Sequence, residues 1–457
     1  MEIIPIKKNQ ELEVTVVDLS YLGMGVAKVE GYPLFIENAL PGERIQVKVL
    51  KIGKKFGFGK MLSILKTSPH RQTIENEDLL RTGIAPLSHL QYEQQLKFKQ
   101  EQVKNVLIKT AKMPEVQVTD TIGMKEPFGY RNKAQIPVRK MNGVLQTGFY
   151  RKNSHELIPL DHFFIQDPEI DAAIVIIREI LQQFEVKAYN EKDNSGFLRH
   201  IVIRRGYQTH EMMVVLVTRK EHFFQGEKIV QKIQEKLPEV VSIIQNINPK
   251  QTNVILGEQE KVLLGRSFIY DQLLGKTFRI SAKSFYQVNT QQAEVLYQKA
   301  FELANLEKSD VVIDAYSGIG TIGLSLADQV AYVYGMETIK QAVIDAQENA
   351  KLNGIKNAEY VTGKAEDIMP RWKEEGIKPN VIFVDPPRKG LDQTFIETAC
   401  DMDPEKFIYI SCNPATMARD LKTFAVNGYF TDSIQPVDLF PQTHHVETIA
   451  LLQKKTS

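Results

Sequence analysis

The alternation of apolar and polar residues divides the chain into two β-rich regions and one region of alternating strands and helices. Between residues 11 and 65, short alternating runs are separated by turns at Gly23, Gly31 and Pro41-Gly42. This spacing predicts five short strands, and five strands in this length favour a small β-barrel of the OB type. We therefore predict an N-terminal barrel domain over residues 1–66.

A second β-rich region follows a polar, irregular stretch and one helical stretch. Apolar residues recur at helical spacing in residues 91–113, which predicts a helix. Asn142-Gly143 marks the turn of a hairpin, and the strand at 198–205 has an antiparallel partner after Gly206. Two further strands are expected between Gly257 and Phe278. We predict a central domain made of residues 67–90 and 114–280.

The strands of the central domain carry many basic side chains. If they share one sheet, these side chains would form one basic surface. The same pattern is typical of the solvent-facing side of a half-buried sheet, so both interpretations stay open. The residues concerned are Arg131, Lys133, Arg151, Lys152, Arg199, Arg204 and Arg205.

From about Ser281 the pattern changes to alternating strands and helices. This order predicts an α/β domain with a doubly wound, mostly parallel sheet. We assign residues 91–113 and 281–457 to this domain. Ligands of such sheets bind at the carboxyl ends of the strands, so polar residues at those ends are the candidates for chemistry.

Composition narrows the class of protein. The 457 residues are 43% hydrophobic and 25% charged, as in a globular protein of about three domains. The net charge of +1 neither indicates nor excludes nucleic-acid binding. Two cysteines exclude a disulfide framework, a four-cysteine zinc site and an all-cysteine iron–sulfur cluster. With no visible export signal and no apolar run of ~18 residues, we expect a cytoplasmic protein.

A glycine-rich loop joins the first strand of the α/β region to its helix. It begins at Asp314 and includes Gly318, and Glu337 ends the next strand. Glycines let a ligand approach the backbone closely, and an acidic residue at the next strand end can bind ribose hydroxyls. The loop lacks the first glycine of the dinucleotide fingerprint, and its order resembles the S-adenosylmethionine loop of class I methyltransferases. Glycines that merely turn a strand into a helix are the alternative.

Three further strand ends carry reactive side chains. Asp385, before two prolines, can accept a hydrogen bond from a planar N–H, or can simply cap its strand. Cys412 precedes a helical pattern, and the helix start should favour the thiolate of a nucleophile; a buried, inert cysteine is the alternative. Glu447 follows His444 and His445, whose side chains should point to opposite sides of an extended chain, so we expect no metal site.

Together these groups match one reaction. The C5 carbon of uracil is a poor nucleophile toward a methyl sulfonium. Addition of a thiolate to C6 makes C5 nucleophilic. A base must then remove the C5 proton so that the thiol can leave.

Five motifs occur in order along the chain, and together they resemble the RNA uracil-C5-methyltransferases. Within that family the chain is most similar to the bacterial 23S ribosomal RNA enzymes with an N-terminal TRAM domain. The motifs are Ser284-Phe-Tyr-Gln-Val-Asn289, Asp314-Ala-Tyr-Ser-Gly-Ile-Gly320, Asp385-Pro-Pro-Arg-Lys-Gly390, Ser411-Cys-Asn-Pro414 and Asp438-Leu-Phe-Pro-Gln-Thr-His-His-Val-Glu447.

The resemblance implies S-adenosylmethionine as cofactor and a role for each motif. Cys412 would be the nucleophile and Glu447 the proton acceptor. The residues that would contact the cofactor or the target base are Gln287, Tyr316, Glu337 and Asp385, together with Asp314 and Gly318 of the loop. Residues 11–65 would be the TRAM domain, and the expected partner is 23S ribosomal RNA, bound by a monomer that flips out its uridine.

Candidate RNA contacts lie in both β-rich regions. Lys54, Lys55 and Phe56 occupy a loop that mixes lysines with aromatics, as single-stranded RNA requires; a solvated hairpin explains the same loop. Arg131 and Lys133 are the central-domain candidates for substrate binding.

One departure bears on these expectations. Many relatives hold an iron–sulfur cluster with four cysteines, whereas His70 to Gln91 contains none. We expect no cluster, and ordinary packing around Leu79, Leu80, Ile84 and Leu87 in its place.

The alternatives are methylation of a tRNA uridine and a catalytically idle RNA-binding or assembly factor. Methylation of an exocyclic amino group is a third. That chemistry usually has an aromatic residue where Arg388 stands, and it does not need Cys412.

Overall fold

The computed structural model of the chain describes residues 4–454, and its first region is a closed barrel of five strands. Alternate residues of these strands point inward and form the barrel's apolar core, as the alternating pattern predicts. The strands are β1 (Glu11–Leu19), β2 (Gly25–Val29), β3 (Tyr32–Ile36), β4 (Arg44–Ile52) and β5 (Gly57–Lys66). They neighbour one another in the order β1-β2-β3-β5-β4, and pairing of β1 with β4 closes the barrel.

The segment after the barrel contains two helices and one short strand. They are α1 (Asp78–Thr82), α2 (Tyr92–Val106), which continues as a π-helical turn over Leu107–Ala111, and β6 (Gln117–Val118). Around α1, Leu79, Leu80 and Leu87 are buried and Ile84 is partly buried. This segment, which contains no cysteine, is therefore packed with aliphatic side chains.

The central domain is built on a seven-stranded sheet with two helices against one face. Its elements are β7 (Lys133–Met141), β8 (Val144–Tyr150), β9 (Leu157–Pro159), α3 (Pro168–Gln183), β10 (Leu198–Arg205), β11 (Met212–Thr218), α4 (Gly226–Lys236), β12 (Val240–Ile247) and β13 (Gln259–Gly265). The strand order is β13-β12-β11-β10-β7-β8-β9. The hairpin at Asn142-Gly143 and the antiparallel pairing of β10 with β11 both follow the sequence pattern.

Two of the seven basic residues proposed for one surface are buried instead. Arg199 donates hydrogen bonds to the carbonyls of Asn248 (2.8 Å) and Lys250 (2.6 Å). Arg204 donates to the carbonyls of Ala282 and Ser284. Buried guanidinium groups need acceptors, and here distant loops supply them. The expectation of one basic surface that includes these two arginines is wrong.

A two-stranded hairpin connects the central sheet to the C-terminal domain. It consists of β14 (Phe268–Leu273) and β15 (Lys276–Ser281). Three strands thus occupy the region in which two were predicted, because β13 precedes this hairpin. The hairpin's apolar residues join the core cluster of the C-terminal domain.

The C-terminal domain has a nine-stranded, mostly parallel sheet with helices on both faces. The elements are α5 (Thr290–Ala304), β16 (Val311–Ala315), α6 (Thr321–Leu326), β17 (Tyr332–Glu337), α7 (Lys340–Leu352), β18 (Ala358–Thr362), α8 (Ala365–Glu374), β19 (Val381–Val384), α9 (Gln393–Asp401), β20 (Lys406–Ser411), α10 (Pro414–Val426), β21 (Tyr429–Phe430), β22 (Ser433–Val437) and β23 (Glu447–Lys454). The order is β18-β17-β16-β19-β20-β23-β22-β6, and β21 pairs with β23. The first five are parallel, and β23 runs antiparallel to β20.

Part of the segment before the central domain belongs structurally to this C-terminal sheet. β6 pairs in parallel with β22, although the sequence placed residues 114–280 in the central domain. α2 packs against α10. None of the helices within residues 4–454 is long and apolar enough to cross a membrane.

Candidate active site

The carboxyl ends of β16, β17, β19 and β20 meet at one edge of the C-terminal sheet, where a cavity of about 970 Å³ opens. Most of the predicted site residues line it: Gln287, Tyr316, Gly318, Glu337, Asp385, Cys412, Glu447 and Arg131. Five come from the ends of four neighbouring strands, as the rule for open α/β sheets predicts. Asp314, Lys133, Lys54, Lys55 and Phe56 lie outside the lining.

The glycine loop after β16 is held against β17 and leaves its backbone open. Gly318 has a φ of 56°, and a Cβ at this position would meet no atom within 4 Å. Its N–H donates to Oε2 of Glu337 (3.2 Å), while Oε1 accepts from the backbone N–H of Ile339 (2.9 Å). The open backbone beside an oriented carboxylate fits an adenosyl cofactor, whose ribose hydroxyls can donate to Glu337.

Asp314 lies beneath this loop and is fully buried. Its Oδ2 accepts a hydrogen bond from the N–H of Gly323 (2.9 Å), and its Oδ1 has no partner among the described residues. Burial, with smaller effects from the charges of Asp385 and Glu337, raises the pKa of Asp314 to about 7. In this structure Asp314 therefore fixes the start of α6.

Asp385 follows β19 and faces the cavity from a rigid loop. Two prolines come next, and the side-chain amide of Asn413 donates to the carbonyl of Arg388 (3.0 Å), which ties this loop to the start of α10. Burial raises the pKa of Asp385 to about 7. The loop that carries the Asp385 carboxyl group is thus held in place by its two prolines and by its hydrogen bond to the start of α10.

Cys412 is half-buried at the end of β20, next to the N-cap residue Asn413. The sequence favours a thiolate here because a helix follows, but this expectation is wrong. Burial raises the pKa of the Cys412 thiol to about 11, and the charges of Glu447 and Asp385 raise it further than the charge of Arg388 lowers it. Burial and two carboxylates together outweigh the helix start, and neither carboxylate is near Cys412 in sequence.

Glu447 is the first residue of β23 and is fully enclosed in the cavity wall. Burial raises its pKa to about 8; the charge of Asp385 acts in the same direction, and Arg388 opposes both. A carboxylate with raised proton affinity is well suited to accept a proton near neutral pH.

His444 and His445 both line the cavity, which corrects the expectation that they point to opposite sides. Their ring centroids are 4.3 Å apart, because the chain turns here, with the N–H of Thr443 donating to the carbonyl of Phe440 (3.2 Å). Burial lowers the pKa of His445 to about 4. Within residues 4–454, no group of three or more His, Cys, Asp or Glu side chains could hold a metal ion.

Arg388 is the site residue that sequence reasoning missed. It lines the cavity, and its charge lowers the pKa of both Cys412 and Glu447. Sequence reasoning used it only as a departure from an amino-methyltransferase motif. One sequence signal could have identified Arg388: it lies three residues after Asp385, in the loop that begins at the end of β19.

The barrel candidates lie on an exposed loop. Lys54 and Lys55 are exposed, and Phe56 is 44% exposed. The ring of Phe56 makes edge contacts with Phe35 (centroids 5.5 Å apart) and Phe58 (5.7 Å). This forms an aromatic cluster with lysines beside it.

A doubly wound sheet with an open glycine loop, an acidic strand end and a cavity thiol defines a class I methyltransferase with a candidate nucleophile. Residues 91–455 match the family described as tRNA (Uracil-5-)-methyltransferase, and residues 5–62 match the TRAM domain. The chain therefore belongs to the RNA uracil-5-methyltransferase family and carries an N-terminal TRAM barrel. The fold class predicted from the sequence is confirmed.

Known relatives match over nearly their whole length. The chain is 57% identical over 450 residues to an "Uncharacterized RNA methyltransferase" of Enterococcus faecalis, covering 98% of each chain. It is 53% identical over 453 residues to one of Lactiplantibacillus plantarum, covering 99% of each. Among solved structures, it is similar to the Pyrococcus abyssi tRNA (uracil-54, C5)-methyltransferase in complex with S-adenosyl-L-homocysteine. The TM-score is 0.78 at 27% identity, covering 96% of this chain and 99% of that one.

Proposed function

We propose that this protein methylates C5 of a uridine in 23S ribosomal RNA, with S-adenosylmethionine as methyl donor and a transient bond between Cys412 and C6 of the ring. The observation that carries the proposal is that Cys412, Glu447 and Asp385 line the same cavity as the open loop at Gly318. Family membership supports the methylation of an RNA uracil.

The chain's own residues have distinct tasks in this proposal. Gly318, Tyr316, Glu337 and Gln287 would hold S-adenosylmethionine, which supplies the methyl group on a sulfonium. Asp385 would accept a hydrogen bond from N3–H of the flipped uracil and so orient the ring.

The covalent steps involve the uracil ring, the methyl donor and two side chains. The Cys412 sulfur, as thiolate, bonds to C6, and the electrons of the C5–C6 double bond move onto the C4 carbonyl. These electrons would return through C5 to form the bond to the methyl carbon, while the bond between that carbon and the sulfonium sulfur of the donor would break and leave its electron pair on the sulfur. Glu447 then takes the C5 proton, the C5–C6 double bond re-forms and the C6–S bond breaks, which releases the thiolate.

Arg388 is placed to stabilise the negative charge of the Cys412 thiolate. Its guanidinium opposes the negative charges of Glu447 and Asp385 around Cys412. A cation there favours the thiolate over the thiol and so increases the reactive fraction.

Adduct formation with RNA that contains 5-fluorouridine tests the chemistry. Fluorine cannot leave as a proton does, so the bond between Cys412 and C6 should persist through denaturation. The adduct should form in the native protein and be absent in Cys412→Ala. The matched control is Cys400→Ala, which removes the other cysteine, a buried one, and should keep the adduct. Full methylation by Cys412→Ala would refute the mechanism.

Glu447→Gln tests the second step. Because the amide cannot take the C5 proton, methyl transfer should occur but the enzyme–RNA bond should persist. Release of free product at the normal rate would contradict the role of Glu447.

The RNA target has two candidates. The TRAM barrel supports 23S ribosomal RNA through the resemblance described above, whereas the similar Pyrococcus abyssi enzyme acts on uracil 54 of tRNA. Mapping 5-methyluridine in ribosomal and transfer RNA from cells with and without the protein decides between them. Loss of the modification from neither RNA, together with no single-turnover methyl transfer, would favour the idle RNA-binding factor.

We also propose that the protein works without an iron–sulfur cluster. The aliphatic packing around Leu79 and Leu87 supports this. Iron and sulfide analysis of anaerobically purified protein should find neither in stoichiometric amount, and a stoichiometric cluster would overturn the proposal.

A further inference from the structure

Lys133 has an ammonium group without a counter-charge. It is the first residue of β7 and is directly opposite Arg204 on β10. Within the described part of the chain, no hydrogen bond or ion pair is formed by its side chain. The charged groups that face it are Arg204 and Arg131, both positive. Burial and these two charges lower the pKa of Lys133 to about 7.

The two neighbouring arginines each have acceptors for a terminal nitrogen, although the Nε of each has no partner among the described residues; Lys133 differs from them because it has no acceptor of either kind within residues 4–454. The guanidinium of Arg204 donates to the carbonyls of Ala282 and Ser284. Arg205 donates to Oδ2 of Asp167 (2.7 Å). A partly buried ammonium beside two like charges is less favourable than one in open solvent, and an anion at this position would stabilise it. No such anion comes from residues 4–454.

The chain around Lys133 is anchored to the wall of the active-site cavity. The side-chain amide of Asn132 donates to the carbonyl of Gln287 (2.9 Å), and its backbone N–H donates to the carbonyl of Val288 (2.8 Å). Arg131, the residue before Asn132, lines the cavity. Lys133 therefore follows a residue that is tied to the cavity wall, although it does not itself line the cavity.

Lys133 lies on the face of the central sheet that is not covered by α3 and α4. Residues alternate between faces along a strand, and Ala134 and Ile136 belong to the core under these helices. Lys133 and Gln135 therefore face the other way, and both are only partly buried. Val202 and Met213 on this face pack into the core cluster shared with the C-terminal domain, whereas Lys133, at the end of β7 next to the cavity wall, is partly open.

We propose that Lys133 and Arg131 bind a backbone phosphate of the substrate RNA next to the nucleotide held in the cavity, an inference that rests on the proposed function. A phosphodiester supplies the missing negative charge, and its oxygens accept charge-assisted hydrogen bonds. Such a contact fixes the register of the RNA without reading its sequence.

Binding of a short oligouridylate to the full-length protein, followed by fluorescence anisotropy, tests the site. Lys133→Met should weaken binding about tenfold and make the slope of log Kd against log salt shallower by about 0.7. Lys133→Arg should restore both. The matched control is Lys140→Met, an exposed lysine on the same strand, which should stay near the wild type.

Two further readouts separate a phosphate contact from a structural role. An oligouridylate with neutral methylphosphonate linkages should bind the wild type and Lys133→Met equally. The wild-type Kd should rise as the pH increases through 7, because Lys133 loses its charge, whereas Lys133→Arg should lose this dependence. Wild-type affinity and salt slope in Lys133→Met, or an equal loss with the neutral backbone, would overturn the inference.

The 5-fluorouridine adduct keeps this test independent of the proposed function. If the wild type forms the adduct while Lys133→Met binds RNA normally, the phosphate site is wrong and the methylation mechanism stands. If no adduct forms while Lys133→Met still shows the weaker, less salt-dependent binding, the phosphate site stands and the covalent mechanism fails.

Discussion

The ammonium Nζ of Lys99 on α2 lies 2.5 Å from Oδ1 of Asp438, and neither side chain is exposed. Tyr92, about two turns earlier on the same face of α2, donates its hydroxyl to Oδ2 of Asp438 (2.9 Å). Lys99 also donates to the carbonyl of Phe440 (3.1 Å). α2 thus holds the segment that leads to Glu447, and the ion pair is part of what positions the proposed base.

Breaking this pair should destabilise the protein strongly. Lys99→Met leaves the Asp438 carboxylate buried without its cation, which costs about 3–5 kcal/mol. Urea unfolding at constant pH measures the change. Lys104→Met is the control on the same helix, because its pair with Glu101 is exposed, and it should cost less than about 1 kcal/mol. Equal effects of the two substitutions would contradict a structural role for the buried pair.

The reactivity of Cys412 should depend on pH with a sign set by its neighbours. In a Cys400→Ala background and without cofactor, alkylation by iodoacetamide should rise with pH toward about 11, the raised pKa of the thiol. Glu447→Gln removes a negative charge and should shift the profile to lower pH. Arg388→Met removes a positive charge and should shift it to higher pH. Mass spectrometry of the modified peptide follows the rate, and shifts in the same direction would be inconsistent with the proposed electrostatics.

Asp314 should make the stability of the protein decrease as pH rises. Its pKa in the folded protein, about 7, is above the ordinary value of 3.8. Its contribution is therefore fully present below the unfolded pKa and is lost as pH rises through 7. Between about pH 5.5 and about pH 8.5 the loss is about 2 kcal/mol.

Asp314→Asn should remove that loss, because the amide oxygen can still accept from the N–H of Gly323 and cannot ionise. Urea unfolding at both pH values provides the measurement. The control is Asp120→Asn, an exposed carboxylate, which should leave the pH dependence as in the wild type. An unchanged slope in Asp314→Asn would show that the buried carboxyl is not its source.

The aromatic cluster on the barrel should bind RNA by stacking. Phe56→Ala should weaken oligouridylate binding by about 1–3 kcal/mol, and Phe56→Tyr should retain it. Leu65→Ala is the matched control, since Leu65 is an apolar barrel residue of similar exposure, 47% against 44%. Anisotropy titration measures both, and a similar loss in Leu65→Ala would argue against stacking.

The sequence predicts the parts of the site that depend on local pattern. The strand ends at Asp385 and Cys412 could be located because β-favouring runs stop at prolines beside them. The barrel followed from alternation and glycine turns in the same way. The five motifs together indicate that site residues far apart in the sequence belong to one active site.

Long-range contacts explain what the sequence did not predict. The acceptors of Arg204 are carbonyls that lie 78 and 80 residues away, so its burial left no local signal. The pKa of Cys412 depends on carboxylates from two other strands. Arg388 was overlooked because its importance comes from facing Cys412 and Glu447 across the cavity.

The position of α2 and β6 in the C-terminal sheet has a consequence for synthesis of the chain. Thr119, just after β6, donates its N–H to the carbonyl of Ile434, 315 residues later. The apolar side of α2, with Val103 and Leu107, is covered by α10 only when that distant segment exists. At about 5–20 residues per second, roughly a quarter of a minute to one minute passes between synthesis of α2 and synthesis of α10, and this apolar side of the nascent helix stays uncovered for that time.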